Sequence, residues 1–294
     1  MSTQYKRKYE LIIGNEESVN IENALKITDL RIKFNVEKDN IGTPNLAKIS
    51  IYNLSRNSRS QIEEEFTKLV LNVGYENNVK LIFTGDILYL FHRKEGSNII
   101  TEIYAGDAQK SYLNSFFCKS YTSNVTYKEI LEDVANSFEG VTLGGILNVP
   151  DKKNSLYGST FCSDSKSVLN ALTTDLNLEW FIDNNNIYIN SPDGVINNDE
   201  KVFNATNGMI DSPIVTEIGI NLKVLLRPDL ICNTNFRVES TFPNIELGGY
   251  YFKGLEPTKG TGVYRITKLL HVGDTHSNNW FTNIEGLTSS LTSN

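Results

Sequence analysis

Two alternating apolar runs near the end of the chain constrain its fold more than any other feature. Residues 262–274 and 280–286 place an apolar side chain at about every second position, and a short run rich in Gly, Asp, Ser and Asn separates them. A period of two puts these side chains on one face of a strand, so the sequence predicts a β-hairpin. Residues 27–36, 47–54 and 70–75 alternate in the same way. The pattern therefore predicts β-structure at both ends of the chain.

Strand-like segments fill the first part of the chain, and one helical turn interrupts them. Ser58 and Gln61 have the spacing of a capping box, which predicts a short helix over residues 62–66. Antiparallel strands this dense generally close into a small barrel or sandwich, which leaves few edges unpaired. The predicted strands are residues 9–13, 25–36, 46–54, 69–73, 80–93 and 99–105, with a hairpin turn at 94–98.

The pattern changes after Ala108, where amphipathic helices begin. Thr126 and Glu129 form a second capping box, and the apolar residues after it fall on one helical face, which predicts a helix over residues 127–137. A second apolar stripe over residues 168–176 predicts another helix. The central region is therefore not built like the two ends.

The two predicted helices belong to a weak internal repeat. Each follows a Phe-Cys pair in a predicted strand, at residues 117–118 and 161–162. The second copy ends in a predicted hairpin formed by residues 178–182 and 187–190. Residues 108–192 are therefore predicted to form an α+β insert.

Alternating strands return after a polar connector at residues 193–200. The predicted fold class is mainly β with an α+β insert, in which two similar small antiparallel β-barrels flank a strand-helix-strand domain. The later predicted strands are residues 214–226, 235–240, 250–252, 263–272 and 280–285. The predicted domains are a first barrel at 1–107, the insert at 108–192, a second barrel at 193–286 and a loose tail at 287–294.

Charge and cysteine usage limit the possible functions. A formal net charge of −7 disfavours a basic surface that grips nucleic acid. Cys118, Cys162 and Cys232 are far apart without CxxC spacing, so we expect reduced thiols in a cytoplasm rather than a disulfide framework. The chain has a polar start and no apolar run near 18 residues, which indicates neither secretion nor a membrane anchor.

Nine segments, distributed along most of the chain, carry a resemblance to a known family. They are residues 29–34 (DLRIKF), 45–55 (NLAKISIYNLS), 73–75 (VGY), 83–87 (FTGDI), 208–213 (GMIDSP), 225–228 (LLRP), 262–266 (GVYRI), 271–276 (HVGDTH) and 280–286 (WFTNIEG). In order and spacing they resemble the baseplate hub proteins of contractile-tailed bacteriophages. Asp211 departs from the pattern, where a small residue is expected.

The resemblance implies a structural adaptor in the virion tail baseplate. Two similar barrels per subunit would assemble as a homotrimer into a ring with pseudo-sixfold symmetry. The ring would continue the hexameric tail tube on one side and seat the trimeric central spike on the other, next to other baseplate proteins. A threefold object meets a sixfold one only if each subunit offers two near-equivalent faces, which a duplicated β-unit would supply.

The same resemblance implies a path for the genome. DNA would pass through the lumen of the ring during ejection without specific binding, and net negative charge would keep it from adhering. We expect the chain to be synthesised and assembled in the cytoplasm of a bacterial host. Its work would then be association, and it would not be an enzyme.

No catalytic, cofactor or metal site is predicted, although His271, Asp274 and His276 are of types that bind zinc or iron. On a strand, His271 and Asp274 point to opposite faces, and His92 lies in another predicted domain. A hairpin rim is the preferred interpretation of this segment.

Acidic residues leave one alternative open, which is a tail-associated peptidoglycan hydrolase or a carbohydrate-binding module. The three glutamates at 63–65 are predicted to form a solvated helix face, and Glu179 adjoins Trp180 in a predicted hairpin. The glycine pairs at 144–145 and 248–249 are interpreted as turns, because they lack the context of a phosphate-binding loop.

Two aromatic clusters are candidate binding surfaces. One contains Tyr89, Phe91 and Tyr104, and the other covers residues 250–252. They could stack sugars or bases, but strand aromatics more often pair across a sheet or fill a barrel. Those that face outward are predicted to anchor ring interfaces.

Overall fold

Strands form most of this protein, and its helices are short. The computed structural model describes residues 6–15, 24–76, 78–150, 158–192, 194–196, 200–216, 218–240, 243–245 and 261–288. The N-terminal third contains β1 (Arg7–Gly14), β2 (Leu25–Ile27), β3 (Ile32–Asp39), β4 (Leu46–Tyr52), α1 (Arg56–Glu64), β5 (Lys68–Tyr75), β6 (Asn78–Glu95) and β7 (Asn98–Gly106).

The central region combines helices with short strands, and the last third returns to strands. The central elements are α2 (Gln109–Asn114), β8 (Phe116–Tyr121), α3 (Tyr127–Ala135), β9 (Thr142–Leu147), β10 (Ser159–Asp164), α4 (Ser165–Asp175), β11 (Glu179–Asp183) and β12 (Asn186–Asn190). The last third contains β13 (Lys201–Phe203), β14 (Ile214–Val215), β15 (Gly219–Leu225), β16 (Asn235–Val238), β17 (Asn244–Ile245), β18 (Gly262–Asp274) and β19 (Trp280–Thr288).

The strands of the first and last thirds join in one large sheet. Its order is β17-β14-β15-β19-β18-β3-β4-β7-β6-β5-β1-β2, with β16 pairing both β13 and β18. The 13-residue strand β18 makes this possible, since one of its edges pairs with β16 at residues 262–265 and with β3 at residues 268–274. We call the seven strands on either side of the β18–β3 contact the N-terminal half and the C-terminal half.

This topology confirms the predicted class of mainly antiparallel β-structure with an α+β insert. Among the described strand pairs, however, neither half closes into a barrel. The two halves pair with each other through β3 and β18, so the backbone N–H and C=O groups on the facing edges of these two strands are paired.

Each region has its own hydrophobic core, and a few residues of one region pack in the core of another. Trp280 and Leu226 come from the last third but pack in the core of the N-terminal half. Phe181 comes from the central region but packs in the core of the C-terminal half. A third core lies under α3 and α4. The boundaries at residues 107 and 192 stay predictions.

The central helices form largely as the sequence predicts. The side chains of Thr126 and Glu129 satisfy each other's backbone N–H groups at the start of α3, which confirms the capping box. The Asp164 side chain caps α4 by accepting from the N–H of Ser167 at 3.1 Å. The predicted hairpin β11–β12 is also confirmed.

The first helix differs from its prediction. It begins at Arg56, and its cap is Ser55, whose hydroxyl accepts from the N–H of Ser58 at 3.1 Å. Ser58 therefore lies inside the helix, and the predicted start at residue 62 is wrong. A Ser at either position fits the local pattern, and only the backbone turn at Ser55 distinguishes them.

Two predicted strands are broken in the structure. The segment 25–36 divides into β2 and β3 because β2 pairs with β1 whereas β3 pairs with β4. The segment 214–226 divides into β14 and β15, which pair with each other. Residues 287 and 288, assigned to the predicted tail, pair within β19, whereas residues 248–249, 250–252 and 289–294 lie outside the described residues.

The glycine pair at 144–145 lies in strand β9, not in a turn as predicted. The pairing of β9 with β12 shifts by one residue here, which leaves Gly144 as the extra residue of a bulge. A Cβ atom at Gly144 would lie 2.6 Å from the ring of Tyr188. Glycine is therefore required for close packing.

Cys118 and Cys162 form a disulfide bond, so the expectation that the cysteines form no disulfide is wrong for this pair. The antiparallel register of β8 and β10 places the two residues directly opposite each other. Their separation of 44 residues gave no sign of that register. Cys232 is free and buried, as expected for an inert thiol.

Candidate functional site

One face of the large sheet carries charged and aromatic side chains across both halves. Residues directly opposite in an antiparallel sheet point to the same side, so the pairing defines this face across seven strands. We call it the outer face. Its residues are Tyr89 and Phe91 (β6), Glu102 and Tyr104 (β7), Leu46 and Lys48 (β4), Lys33, Asn35 and Glu37 (β3), Lys268, Leu270, Val272 and Asp274 (β18), Phe281, Asn283 and Glu285 (β19), and Asn221 and Lys223 (β15).

Many charges of the outer face are paired with one another in the N-terminal half. Glu102 accepts from Arg93 at 2.7 Å and lies 3.1 Å from the ammonium of Lys48. Burial alone would raise the pKa of Glu102, but the hydrogen bonds from Arg93 and Lys48 outweigh it and hold the pKa below its usual value. The carboxylate therefore stays ionised and bound between two cations.

The pairing continues across the contact between the halves. Lys268 of β18 forms an ion pair with Glu37 of β3. Asp274 accepts two bonds from the Arg31 guanidinium, at 2.8 and 3.2 Å. Burial raises the pKa of Asp274, yet these bonds and the N–H of His276 bring it below its usual value. The outer face thus carries alternating charges that largely neutralise each other.

An aromatic ladder stands at the β6 end of the outer face. The ring of Tyr104 stacks on Tyr89, with centroids 4.5 Å apart, and lies 6.2 Å from Phe91. The ammonium of Lys48 lies 5.1 Å from the centre of the Tyr104 ring. Tyr89 is 55% exposed and Phe91 is 42% exposed. The predicted pairing of strand aromatics across a sheet is confirmed here, and two of the rings remain available to a partner.

The histidine segment is arranged as a hairpin rim. His271 is fully buried on the inner side of the sheet, with its Nδ1 atom 2.9 Å from the Thr282 hydroxyl. Burial lowers the pKa of His271 well below its ordinary value, and Lys38 lowers it further. Asp274 lies on the outer face and His276 is exposed in the turn. Within the described residues, no cluster of three metal-binding side chains occurs.

The glutamates considered for catalysis are separated. Residues 63–65 are exposed at the C-terminal end of α1, as predicted, and Glu63 lies 2.9 Å from the ring of His92. Glu179 is held elsewhere, by Asn40 and Arg265 at 3.1 Å each. Trp180 is buried and donates its indole N–H to Asn170 at 2.7 Å. Glu63, Glu179 and Trp180 therefore have structural partners.

A polar network fastens the tip of the β11–β12 hairpin to the N-terminal half. Lys38 and Asp183 form a buried ion pair at 2.5 Å. Asp107 accepts the backbone N–H groups of Asn184 and Asn185 at 2.5 and 2.8 Å. We call these contacts the hairpin junction. Burial and the nearby charge of Asp183 raise the pKa of Asp107 to about 7.

A second set of contacts fastens the same hairpin to the C-terminal half. Arg265 of β18 donates to Glu179 at 3.1 Å and to Asn233 at 3.2 Å. Asn233 in turn donates to Asn190 of β12 at 3.1 Å. The insert is therefore bound to both halves by hydrogen bonds and ion pairs.

Sequence reasoning missed the hairpin junction, although one residue carried a signal. Lys38 continues the inward register of Ile32, Phe34 and Val36, and a lysine among buried positions requires an acidic partner. Its partner, Asp183, is 145 residues away. The register of β3 could have identified the lysine but not the carboxylate that binds it.

A groove of about 540 Å³ separates the N-terminal half from the insert. Asp86 in its lining is already bound within the protein, since it lies 2.8 Å from the Lys68 ammonium and accepts the backbone N–H of Lys110 at 2.8 Å.

None of the described helices is long and apolar enough to cross a membrane.

A family-model comparison and a comparison with solved structures both find relatives among phage tail proteins. The family model described as Baseplate hub gp41 matches residues 15–253. A comparison with curated protein sequences found no significant match.

Solved structures with a similar fold include two tail proteins and a secretion component. The 43 kDa tail protein of prophage MuSo2 from Shewanella oneidensis has a TM-score of 0.62 at 10% identity and covers 97% of this chain and 98% of its own. A tail protein from Neisseria meningitidis MC58 has a TM-score of 0.58 at 6% identity, with 97% of each chain covered. An E. coli component of the type VI secretion system, described as structurally similar to the T4 bacteriophage tail proteins gp27 and gp5, has a TM-score of 0.55 at 10% identity and covers 89% of this chain and 74% of its own. At these identities the likeness shows the fold.

Proposed function

The chain belongs to the Baseplate hub gp41 family and is a structural component of a phage tail baseplate, and from this premise we propose that three copies form a ring that joins the tail tube to the central spike. Each copy would contribute its N-terminal and C-terminal halves to a ring of six similar units. The hexameric tube would contact one side of the ring, and the trimeric spike would contact the other.

The observation that carries this proposal is the sheet shared by the two halves. Seven described strands lie on each side of the β18–β3 contact, and each half has its own core. Three copies of such a subunit offer six related surfaces, which lets a threefold assembly meet a sixfold one. The paired contacts of the insert with both halves would keep their relative position fixed.

The last part of β6 is the surface that we assign to contact between copies. In the described part of the chain, β6 pairs with β5 up to Asp86, and only β7 pairs with residues 89–95. This leaves one backbone edge available for pairing, next to the exposed rings of Tyr89 and Phe91. Edge pairing with aromatic anchors is a recurring way to join sheets between chains.

The outer face fits the passage of DNA without specific binding. Strong phosphate binding requires cations free to displace counterions, whereas the cations Lys48, Lys268 and Arg31 are bound to carboxylates of the protein. We place this face toward the lumen. The net charge of −7 adds a general repulsion of DNA.

The partners of this subunit are therefore two further copies, the tube protein, the spike protein and other baseplate proteins. The E. coli structural relative, described as similar to the T4 tail proteins gp27 and gp5, supports such an association. The chain would be synthesised and assembled in the host cytoplasm, and it would act without turnover. A tail-associated peptidoglycan hydrolase or carbohydrate-binding module is the competing function.

Reconstitution tests the proposal directly. The full chain is mixed with purified spike and tube subunits, and the complex is weighed by native mass spectrometry and imaged by cryo-electron microscopy. We expect three copies per spike trimer and a ring with six similar β-units. A different stoichiometry, or a monomer that binds neither partner, would contradict the adaptor.

The same preparation distinguishes the competing function and the assigned edge. Clearing of a purified cell-wall suspension that is lost when Glu179 is replaced by Gln would favour the hydrolase. Tyr89→Glu combined with Phe91→Glu should prevent ring formation without unfolding the monomer. Leu113→Glu, at a residue of α2 that is 54% exposed, is the matched control and should leave the ring intact.

A further inference from the structure

The disulfide of the insert lies at the surface of the two-stranded sheet formed by β8 and β10. Strands β8 and β10 pair over six residues and with no other described strand. Cys118 and Cys162 are directly opposite each other, and both are exposed. Phe116, which is 63% exposed, lies on the same face of β8. The two cysteines therefore lie on a solvent-exposed face that small molecules in solution can approach.

We propose that Cys118 and Cys162 form a thiol–disulfide exchange site, which is reduced where the chain is made and oxidised after the particle leaves the cell. The proposal rests on the synthesis in a host cytoplasm that the proposed function includes. A reducing cytosol keeps accessible thiols reduced, whereas an oxidising exterior favours the bond. The reactant is a low-molecular-weight thiol of the glutathione type, or its disulfide.

The exchange is balanced in both directions. In the opening direction, the thiolate of the small molecule attacks one cysteine sulfur, the Cys118–Cys162 bond breaks, and the other cysteine leaves as a thiolate that takes a proton. A second small thiol then resolves the mixed disulfide. The products are two protein thiols and one small disulfide, which carries away the two oxidising equivalents. The closing direction is the reverse, with the small disulfide as the oxidant.

The third cysteine provides an internal contrast. Cys232 is only 2% exposed, and burial raises the pKa of its thiol, so little thiolate is present to react. It lies in the core of the C-terminal half, away from the insert core. The chain thus contains one accessible pair and one protected thiol.

Opening the bond should loosen only this end of the insert. A two-stranded sheet is marginally stable on its own, and the covalent link restricts a loop that includes α3. In the described part of the chain, the other contacts of this sheet include Phe117 and Phe161 at the insert core and the hydroxyl of Tyr121 bound to Asp133 at 2.6 Å. The other described insert strands are β9, β11 and β12; β9 pairs with β12, and the β11–β12 hairpin is held by the hairpin junction, which does not depend on the cysteines.

Differential alkylation of the full chain tests the site. After purification in air, we expect no native labelling of Cys118 or Cys162, and labelling of both after treatment with reduced glutathione. Cys232 should be labelled only after denaturation. Labelling of the pair before reduction, or its resistance to glutathione in the folded protein, would overturn the proposal.

Thermal melting supplies a second measurement with matched variants. Reduction should lower the Tm of the wild type by roughly 5 to 10 °C, as expected for a loop of this size. The Cys118→Ser, Cys162→Ser double variant should start at the lower Tm and not respond to reductant. The Cys232→Ala variant should still respond. A wild-type Tm that reduction does not change would contradict the proposed loosening.

Alkylation after acid quenching of producing cells tests the reduced state. Both cysteines should be labelled in quenched cells and protected in released particles, and protection already within the cell would overturn the proposed cycle. The stoichiometry of the reconstituted complex is measured separately. A ring of three copies with permanently oxidised cysteines would refute only the exchange site, whereas a redox-responsive chain that does not form the ring would refute only the adaptor.

Discussion

The two halves of the large sheet have the same number of described strands but are built differently. The N-terminal half has strands of 7 to 18 residues except for the three-residue β2, whereas β13, β14 and β17 of the C-terminal half have only 2 or 3 residues. Short strands bury little apolar surface, so the C-terminal half relies more on its neighbours. Equal numbers of strands are therefore compatible with unequal stability.

Packing of a C-terminal side chain in the core of the N-terminal half also indicates that the two halves depend on each other. Trp280 belongs to a strand of the C-terminal half, but its ring packs against Phe34 in the other core, with centroids 5.4 Å apart in an edge-to-face arrangement. The halves should then unfold together, although three copies of the chain would present them as near-equivalent units. A ring needs similar surfaces, and it does not need equal cores.

The strongest test of this dependence is Trp280→Ala. Trp280 is 1% exposed, and removing a buried aromatic side chain typically costs about 3 to 5 kcal/mol. We expect a single unfolding transition at a lower midpoint in a urea titration, followed by both fluorescence and circular dichroism. Two separated transitions would mean that the halves are independent.

A neighbour on the same strand provides the control for this variant. Phe281 lies half-buried on the outer face, with the Lys223 ammonium 4.5 Å from its ring centre. Phe281→Ala should cost less than about 1.5 kcal/mol, because the side chain is already partly in water. An equal loss for both variants would contradict the role assigned to the shared core.

The hairpin junction allows a comparison of how the insert is bound to each half. Asp183→Asn removes one partner of a buried ion pair and should cost about 3 kcal/mol, since the Lys38 charge is then buried without a counterion. Glu179→Gln alters the contact with the C-terminal half, where the Glu179 side chain is 30% exposed, and should cost about 1 kcal/mol or less. Urea unfolding of both variants measures the difference.

A double variant checks the cause of the larger loss. Lys38→Met combined with Asp183→Leu removes both charges and should recover most of the stability lost by Asp183→Asn. If the double variant were less stable than Asp183→Asn, the ion pair would itself be strongly stabilising. That result would require the N-terminal half to hold the insert by charge rather than by packing.

Asp107 gives the junction a dependence on pH. Burial and Asp183 raise the pKa of Asp107 to about 7 in the folded chain. Between about pH 4 and 7 the folded chain therefore holds a proton on Asp107, whereas the carboxyl group of the unfolded chain is already ionised. The contribution of Asp107 to stability is therefore greatest at low pH and falls as the pH rises through this window. Asp107→Asn should remove that slope.

Other groups titrate with the opposite sign, so the difference between wild type and variant is the quantity to measure. The pKa of His271 is lowered by burial, which makes stability fall as the pH drops below about 6.5 in both proteins. Subtracting the two stability profiles cancels this term. A flat difference between pH 4 and 7 would show that Asp107 is ionised throughout.

Local signals in the sequence predicted the local structure well. The capping box at Thr126 and Glu129 and the hairpin around residues 183–186 depend on residues within one turn of each other, and both are confirmed. The ion pair of Lys38 and the disulfide of Cys118 depend on registers set by the whole fold. The amino-acid pattern gives the face of a strand but not its neighbour, so these contacts could not be predicted.

The candidate surface was predictable to the same extent. Tyr89, Phe91 and Tyr104 were identified as an aromatic cluster on two predicted strands, but the period of two could not tell which of their rings face outward. The outer face as a whole was not predicted. It requires β3 to pair with β18, and these strands lie more than 200 residues apart in the sequence. The shared sheet that joins the halves is a tertiary feature.

The smallest expected effect concerns one aromatic ring from each half, the exposed Tyr89 and the half-buried Phe281. Tyr89→Ala should change the free energy of unfolding of the monomer by less than about 1 kcal/mol, because the ring is more than half exposed and mainly loses its stacking on Tyr104. Analytical ultracentrifugation should nevertheless show association weakened by roughly tenfold or more, as expected for an aromatic interface anchor. Phe281→Ala, in the middle of the same face, should leave association unchanged. If Phe281→Ala weakened association and Tyr89→Ala did not, the contact between copies would belong to the C-terminal half instead of the β6 edge.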